Sequence, residues 1–115
     1  MFIEENKQLA AFTTFGLSSI ARYYFEALSC EDLREALLFA KRRKIDAVLL
    51  GGGSNVVLAP SLNCLVIRVM LGGIEVTDNI VKVKAGENWH SVVLATLGQG
   101  LFGLENLSLI PGSVG

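Results

Sequence analysis

An α+β fold is predicted by three observations: a strand–helix–strand pattern in the first fifty residues, four further short strand candidates between turn residues, and a second helical stretch before an apolar, glycine- and proline-broken end. At 115 residues and 12.4 kDa the chain is one domain or part of one, and a chain of that size buries roughly two-thirds of the surface it exposes when unfolded. Hydrophobic residues make up 51% and charged residues 18%. That balance excludes intrinsic disorder, and it falls short of the roughly 25% charge of an average soluble domain. One apolar face is therefore expected to pack against a cofactor, a partner or further chain.

Residues 1–19 read as a mixed arm ending in TTFGLSS, where Gly16 and two serines mark irregular backbone. Residues 20–28, with Tyr23, Tyr24 and Phe25, are rich in β-forming side chains and read as a strand. Ser29 with Asp32 three residues on resembles a capping box with a shortened acid. Leu33, Ala36, Leu37 and Ala40 then recur at helical spacing, so a helix is expected over 30–43. Lys41, Arg42, Arg43 and Lys44 fall at its end, where cations complement the helix dipole. Residues 46–50 form an apolar strand running directly into Gly51, Gly52 and Gly53, which closes a unit whose sheet is expected to be parallel.

Segments 56–58, 65–69, 74–77 and 80–85 are the further strand candidates, and Asp78 with Asn79 reads as the turn of a hairpin joining the last two. Asn88 is placed to cap a helix carrying Val92, Val93, Ala95, Thr96 and Leu97, with a stop at Gly98 or Gly100. The closing LFGLENLSLIPGSVG is expected to be extended or coiled. An apolar loop ending without a covering element reads as the edge of a longer polypeptide.

Ten Lys and Arg against eleven Asp and Glu give a net charge of −1, so neither nucleic acid nor an anionic membrane is an expected partner. No run of 18 apolar residues occurs, and MFIEENKQL carries acids where a signal peptide carries bases, so a cytoplasmic location is expected. Cys30 and Cys64 are isolated and read as buried, reduced thiols. His90 is the single histidine. With no second histidine, cysteine pair, carboxylate cluster or adjacent nucleophile it matches neither a metal site nor a triad, and it reads as structural. Trp89 is expected to pack, Glu87 to meet the helix dipole from the first turn, and Glu105 to be a structural acid. No catalytic or metal-binding residue is assigned.

The most informative segment is GGGSN at 51–55, because consecutive glycines after a strand let backbone N–H groups converge on an anion, usually phosphate, without Cβ interference. No Lys followed by Ser or Thr makes it a P-loop. Val56, Val57 and Leu58, directly after Asn55, suit a strand rather than the helix of a dinucleotide fingerprint. Between Lys44 and Arg68 there is no cation, so a diphosphate held here is expected to rely on main-chain amides, the Ser54 hydroxyl and the Asn55 amide, at about 1.5–3 kcal/mol for each charge-assisted bond. By spacing alone, the same segment also reads as a plain turn between two strands.

With TTFG at 13–16, GGGSN at 51–55, AGENWH at 85–90 and GLENLSLIPGSVG at 103–115, the chain resembles the N-terminal part of the UDP-N-acetylenolpyruvoylglucosamine reductase (MurB) family. The resemblance implies the FAD-binding fold of the vanillyl-alcohol-oxidase or PCMH type. On that pattern the arm 1–19 precedes a small βαβ subdomain over 20–70, and the start of a larger mixed-sheet subdomain occupies 71–115. It further implies that Gly51, Gly53, Ser54 and Asn55 lie along the FAD pyrophosphate, with Gly52 in the same turn, where some relatives carry an acid. Ile110, Pro111, Gly112, Val114 and Gly115 would fall along the flavin and its diphosphate, with Thr14 and Phe15 close by.

In the complete enzymes of that family NADPH reduces FAD, and the flavin passes hydride to the enolpyruvyl double bond of a UDP-sugar, with a serine, an arginine and a glutamate assisting. Those three come after the IPGxVG string and match nothing in this chain. These residues are therefore expected to be catalytically silent, to hold FAD weakly, to meet the UDP-sugar only with a further domain, and to self-associate through an uncovered apolar face. One rival is another oxidase of the same flavin fold, which would usually carry a His or Cys near the glycine loop for covalent attachment, and none is there. The other is a small ligand-binding or assembly module whose glycine loop is a plain turn.

Overall fold

The computed structural model describes residues 2–13, 16–52, 59–104, 107–108 and 111–115; the strand candidate at 56–58 lies outside them. A four-stranded sheet in the order β1-β2-β4-β3 is built from β1 (Glu4–Gln8), β2 (Ile20–Ala27), β3 (Ala47–Leu50) and β4 (Ser61–Val69). Strand β4 lies between β2 and β3 and runs parallel to both, so the helical crossover from β2 to β3 spans it. It begins at Ser61, earlier than its apolar run, where Arg22 Nη1 donates to Asn63 Oδ1 at 3.0 Å. Strand β1 arises within the stretch read as an arm. Its sequence EENKQ has little β-propensity, and it is ordered by antiparallel pairing with the apolar β2, Glu4 opposite Tyr24 and Gln8 opposite Ile20. Charged side chains on such an edge discourage further strand addition.

Helix α1 (Cys30–Arg43) has the bounds expected from its pattern. Ser29 Oγ accepts from the Asp32 N–H at 3.1 Å, and Asp32 Oδ2 accepts from the Leu28 N–H at 3.1 Å, so the short acid reaches one residue beyond the cap. The helix closes with Lys44 at φ 55°, the Lys44 N–H bonded to Lys41 O and the Ile45 N–H to Ala40 O. Left-handed backbone strains a side-chain-bearing residue. Lys44→Gly relieves that strain at some cost in unfolded-chain freedom, with a net gain of about 0.5 kcal/mol expected. A rise of the thermal midpoint by about 2–4 °C is the check.

Both faces of β2 are buried. Tyr23, Phe25 and Ala27 pack with Leu65 and Ile67 of β4 under Ala36 and Ala40 of α1. On the opposite face Ala21 and Tyr24 join Leu9, Leu50, Cys64 and Val66, with Phe12 against them. A register shift between Ala21 and Tyr23 puts Ala21 and Tyr24 on one face although they are three residues apart. Cys64 is buried, and burial, followed by the Asp46 charge, pushes its thiol pKa up. Cys30 departs from the expectation. As the first residue of α1 it sits at the solvent-facing capped end and is exposed.

A hairpin of β5 (Ile74–Thr77) and β6 (Ile80–Val83) turns through Asp78 at φ 51°. Strand β6 stops short of residue 85: the Lys84 N–H still bonds Gly73 O in the hairpin register, and residues 85–87 then bend toward the second helix. Helix α2 (Trp89–Gly98) is capped by Asn88, whose Oδ1 accepts from the Ser91 N–H at 3.1 Å. Beyond its end Gly100 turns left-handed, and the Leu101 N–H reaches back to Thr96 O at 2.9 Å. Phe102 is 80% and Ile80 72% exposed, so part of the apolar surplus read from composition lies on the outside. Among the described residues no helix is long and apolar enough to cross a membrane.

Candidate functional site

Parallel strands β3 and β4 deliver their carboxyl ends side by side, with Leu50 opposite Arg68. Open parallel sheets bind ligands in the crevice outside such ends. Gly51 and Gly52 leave β3 at this point, and Arg68 to Met70 finish and extend β4. A further wall comes from the far end of the chain. Residues 111–115 run antiparallel to 85–89, the Trp89 N–H donating to Gly112 O at 3.0 Å, the Val114 N–H to Glu87 O at 2.9 Å and the Gly115 N–H to Ala85 O at 3.0 Å. The first two bonds bracket the Asn88–Ser113 bridge, so both of these residues turn their own N–H and C=O groups away from the pairing. The result is a cleft of about 330 Å³ lined by Gly51, Gly52, Arg68, Met70, Gly86, Asn88, Pro111, Gly112 and Ser113, with Val69.

Backbone meets backbone across this cleft. A Cβ on Gly52 would stand 3.0 Å from Gly112 Cα, and one on Gly51 would stand 3.0 Å from Ser113 Oγ. Main chain therefore forms much of the wall, the arrangement that lets amides approach an anion. The supporting turn is itself tethered, the Gly86 N–H to Leu71 O at 2.7 Å and the Met70 N–H to Ala27 O at 2.8 Å. Glu87 lies before the Asn88 cap rather than in the first turn of α2, and its Oε1 accepts from the Gly73 N–H at 2.9 Å. Its carboxylate holds the hairpin rather than the helix end. Trp89 is half-buried, with its Nε1–H donating to Leu107 O at 2.9 Å, and half-buried His90 is not part of the cleft lining.

Arg68 corrects the expectation that no basic side chain attends this site. Its register with Leu50 brings it to the cleft. Its guanidinium carbon is 4.7 Å from the centre of the Phe12 ring, which stacks on Tyr24 at 5.4 Å and 8°. Tyr24 is fully buried and its hydroxyl donates to Glu26 Oε1 at 3.2 Å. Burial foremost, and then the Glu26 carboxylate, push the Tyr24 pKa up to about 12, with Arg68 pulling the other way.

Of the residues expected at a cofactor, Gly51, Gly52, Pro111 and Gly112 line the cleft. Val114 and Gly115 stand beside it in the pairing with 85–87. Gly53, Ser54, Asn55 and Ile110, with Thr14, Phe15 and Glu105, lie outside the described residues. Sequence reasoning did not place Arg68, Met70 and Ser113 in the cleft. Arg68 carried one signal, being the first cation after the glycines, but only strand register gives it a place.

The FAD binding domain family matches residues 21–115, and the chain belongs to that family. The α+β FAD-binding fold expected from the sequence is therefore its fold. Among curated proteins the chain is 45% identical over 112 residues to the UDP-N-acetylenolpyruvoylglucosamine reductase of Pseudomonas syringae pv. syringae, covering 93% of this chain and 33% of that protein. It is 42% identical over 118 residues to the protein of the same name from Pseudomonas fluorescens, covering 98% and 35%. The crystal structure of UDP-N-acetylenolpyruvylglucosamine reductase (MurB) from Thermus caldophilus matches with a TM-score of 0.73 at 28% identity, over 99% of this chain and 41% of that one. The chain spans about a third of the length of the curated relatives it matches.

Proposed function

We propose that the chain is the FAD-binding part of a UDP-N-acetylenolpyruvoylglucosamine reductase, and that its cleft receives the cofactor's diphosphate. The observation that carries this reading is the approach of Gly52 to Gly112, where an added Cβ would stand 3.0 Å from the opposing Cα. Such a wall fits a diphosphate, because main-chain amides can come close to its oxygens. The cofactor-contacting set is Gly51, Gly52, Gly53, Ser54 and Asn55 from one side and Ile110, Pro111, Gly112, Val114 and Gly115 from the other. The subdomains are 20–70 and 71–115. Lining from the ends of β3 and β4 and, beyond residue 70, from Gly86, Asn88 and 111–113 supports that division.

Bound FAD supplies hydride-transfer chemistry. The residues of this chain bind and orient it, with Ser113 turning its main-chain N–H and C=O out of the pairing. In the whole enzyme NADPH is the hydride donor and a UDP-N-acetylglucosamine enolpyruvate the acceptor, in the cytoplasm. The 115-residue chain binds FAD without turning over NADPH, and it self-associates through exposed side chains such as Phe102.

Titrating the purified chain with FAD tests the central claim. Saturable quenching of flavin emission is expected, without NADPH oxidation. No saturable interaction at millimolar FAD would overturn it.

A further inference from the structure

We propose that Arg68 supplies the charge by which this cleft selects a phosphorylated flavin, with its guanidinium held in place by the stacked Phe12 and Tyr24 rings. The inference rests on the flavin reading of the cleft. Among the described residues lining the cleft, Arg68 is the charged one. Main-chain amides offer only partial charges to a dianionic diphosphate, whereas a guanidinium offers a full charge and a planar fork of donors matched to phosphate oxygens.

No ion pair at contact distance engages Arg68 among the described residues, and its guanidinium interacts with the neutral Tyr24 hydroxyl. The ion pair among those residues is Lys7 with Glu4, and Lys7 Nζ stands 5.7 Å from the centre of the same Phe12 ring that Arg68 faces. Glu26, the register partner of Arg68 across β2 and β4, accepts instead from the Tyr24 hydroxyl. Phe12 beneath the guanidinium holds it through its ring face, and Arg68 lines the cleft. Tyr24, fully buried, fixes Phe12 in turn. A cation positioned before the ligand arrives loses little rotamer freedom on binding, and that sharpens selection for the anion.

The test compares FAD with riboflavin, which carries the same ring system without phosphate, on the full 115-residue chain and on Arg68→Met and Arg68→Lys. Arg68→Met is expected to weaken FAD binding about tenfold or more, as loss of a charge-assisted contact does. Riboflavin affinity should stay within about twofold, and the salt dependence of FAD binding should become shallower. Arg68→Lys should retain part of the FAD preference. On the unaltered chain, inorganic pyrophosphate should displace FAD, a result that does not depend on any variant folding.

Equal weakening of both ligands would make Arg68 structural and overturn the proposal. So would unchanged FAD affinity in Arg68→Met, or failure of pyrophosphate to compete; in each case FAD still binds the unaltered chain and the flavin reading stands. An unaltered chain that takes neither flavin overturns both.

Discussion

Gly86→Val is expected to leave the chain without a stable fold. A Cβ at residue 86 would stand 2.5 Å from Leu71 O and from the Met70 carbonyl carbon, and would also collide with the Leu71 nitrogen. All three are backbone atoms, so no side chain can swing aside. The Gly86 N–H bond to Leu71 O, at 2.7 Å, holds the two segments at that separation. The contact also joins the exit of β4 to the turn before α2, so relief of the overlap would separate the sheet from the wall of the cleft. Overpacking typically costs about 1–3 kcal/mol where side chains can adjust. With backbone opposing backbone about 3 kcal/mol or more is expected, set against roughly 5–15 kcal/mol for a whole domain. Urea unfolding followed by circular dichroism measures it. Gly86→Ala carries most of the effect because the Cβ itself collides, and an alanine variant melting within about 2 °C of the parent would refute the argument.

Tyr24→Ala should cost about 3–5 kcal/mol, the range for emptying a large aromatic from a core. Tyr24 has no solvent exposure, stacks on Phe12, and packs in the face of the sheet that carries Leu50 and Val66. Tyr24→Phe keeps the ring and loses the bond to Glu26, so about 1 kcal/mol is expected. The pair of variants also separates a pH effect. The folded-state pKa of Tyr24 is about 12, above the ordinary 10.0. Its contribution to stability is therefore complete below the unfolded pKa and is lost as pH rises from there through the folded value. Urea midpoints measured at about pH 8 and about pH 11 should fall further for the parent than for Tyr24→Phe. Equal falls would remove Tyr24 as the cause.

The parts of the fold that were legible are those built from neighbours in the chain. Ser29 with Asp32 announced α1, and Asn88 with Ser91 set the start of α2, because a capping side chain and the N–H it receives lie three residues apart. Asp78 at φ 51° marks the hairpin for the same local reason. Strand β1 was not legible, since its polar sequence becomes a strand only when β2 is present to pair with it. The exposure of Cys30 likewise depends on which side of α1 meets the sheet.

The candidate site divides along the same line. By itself the sequence determined the glycine loop, the helix caps and the motif strings shared with FAD-binding relatives, because each is a property of a few consecutive residues. Only the tertiary structure decided that Gly112 faces Gly52 and that Arg68 enters the same cleft. Those neighbours arise from the register of β3 on β4 and from the pairing of 111–115 with 85–89. Register is chosen by burying apolar side chains on both faces of a sheet at once, a condition that no single segment carries.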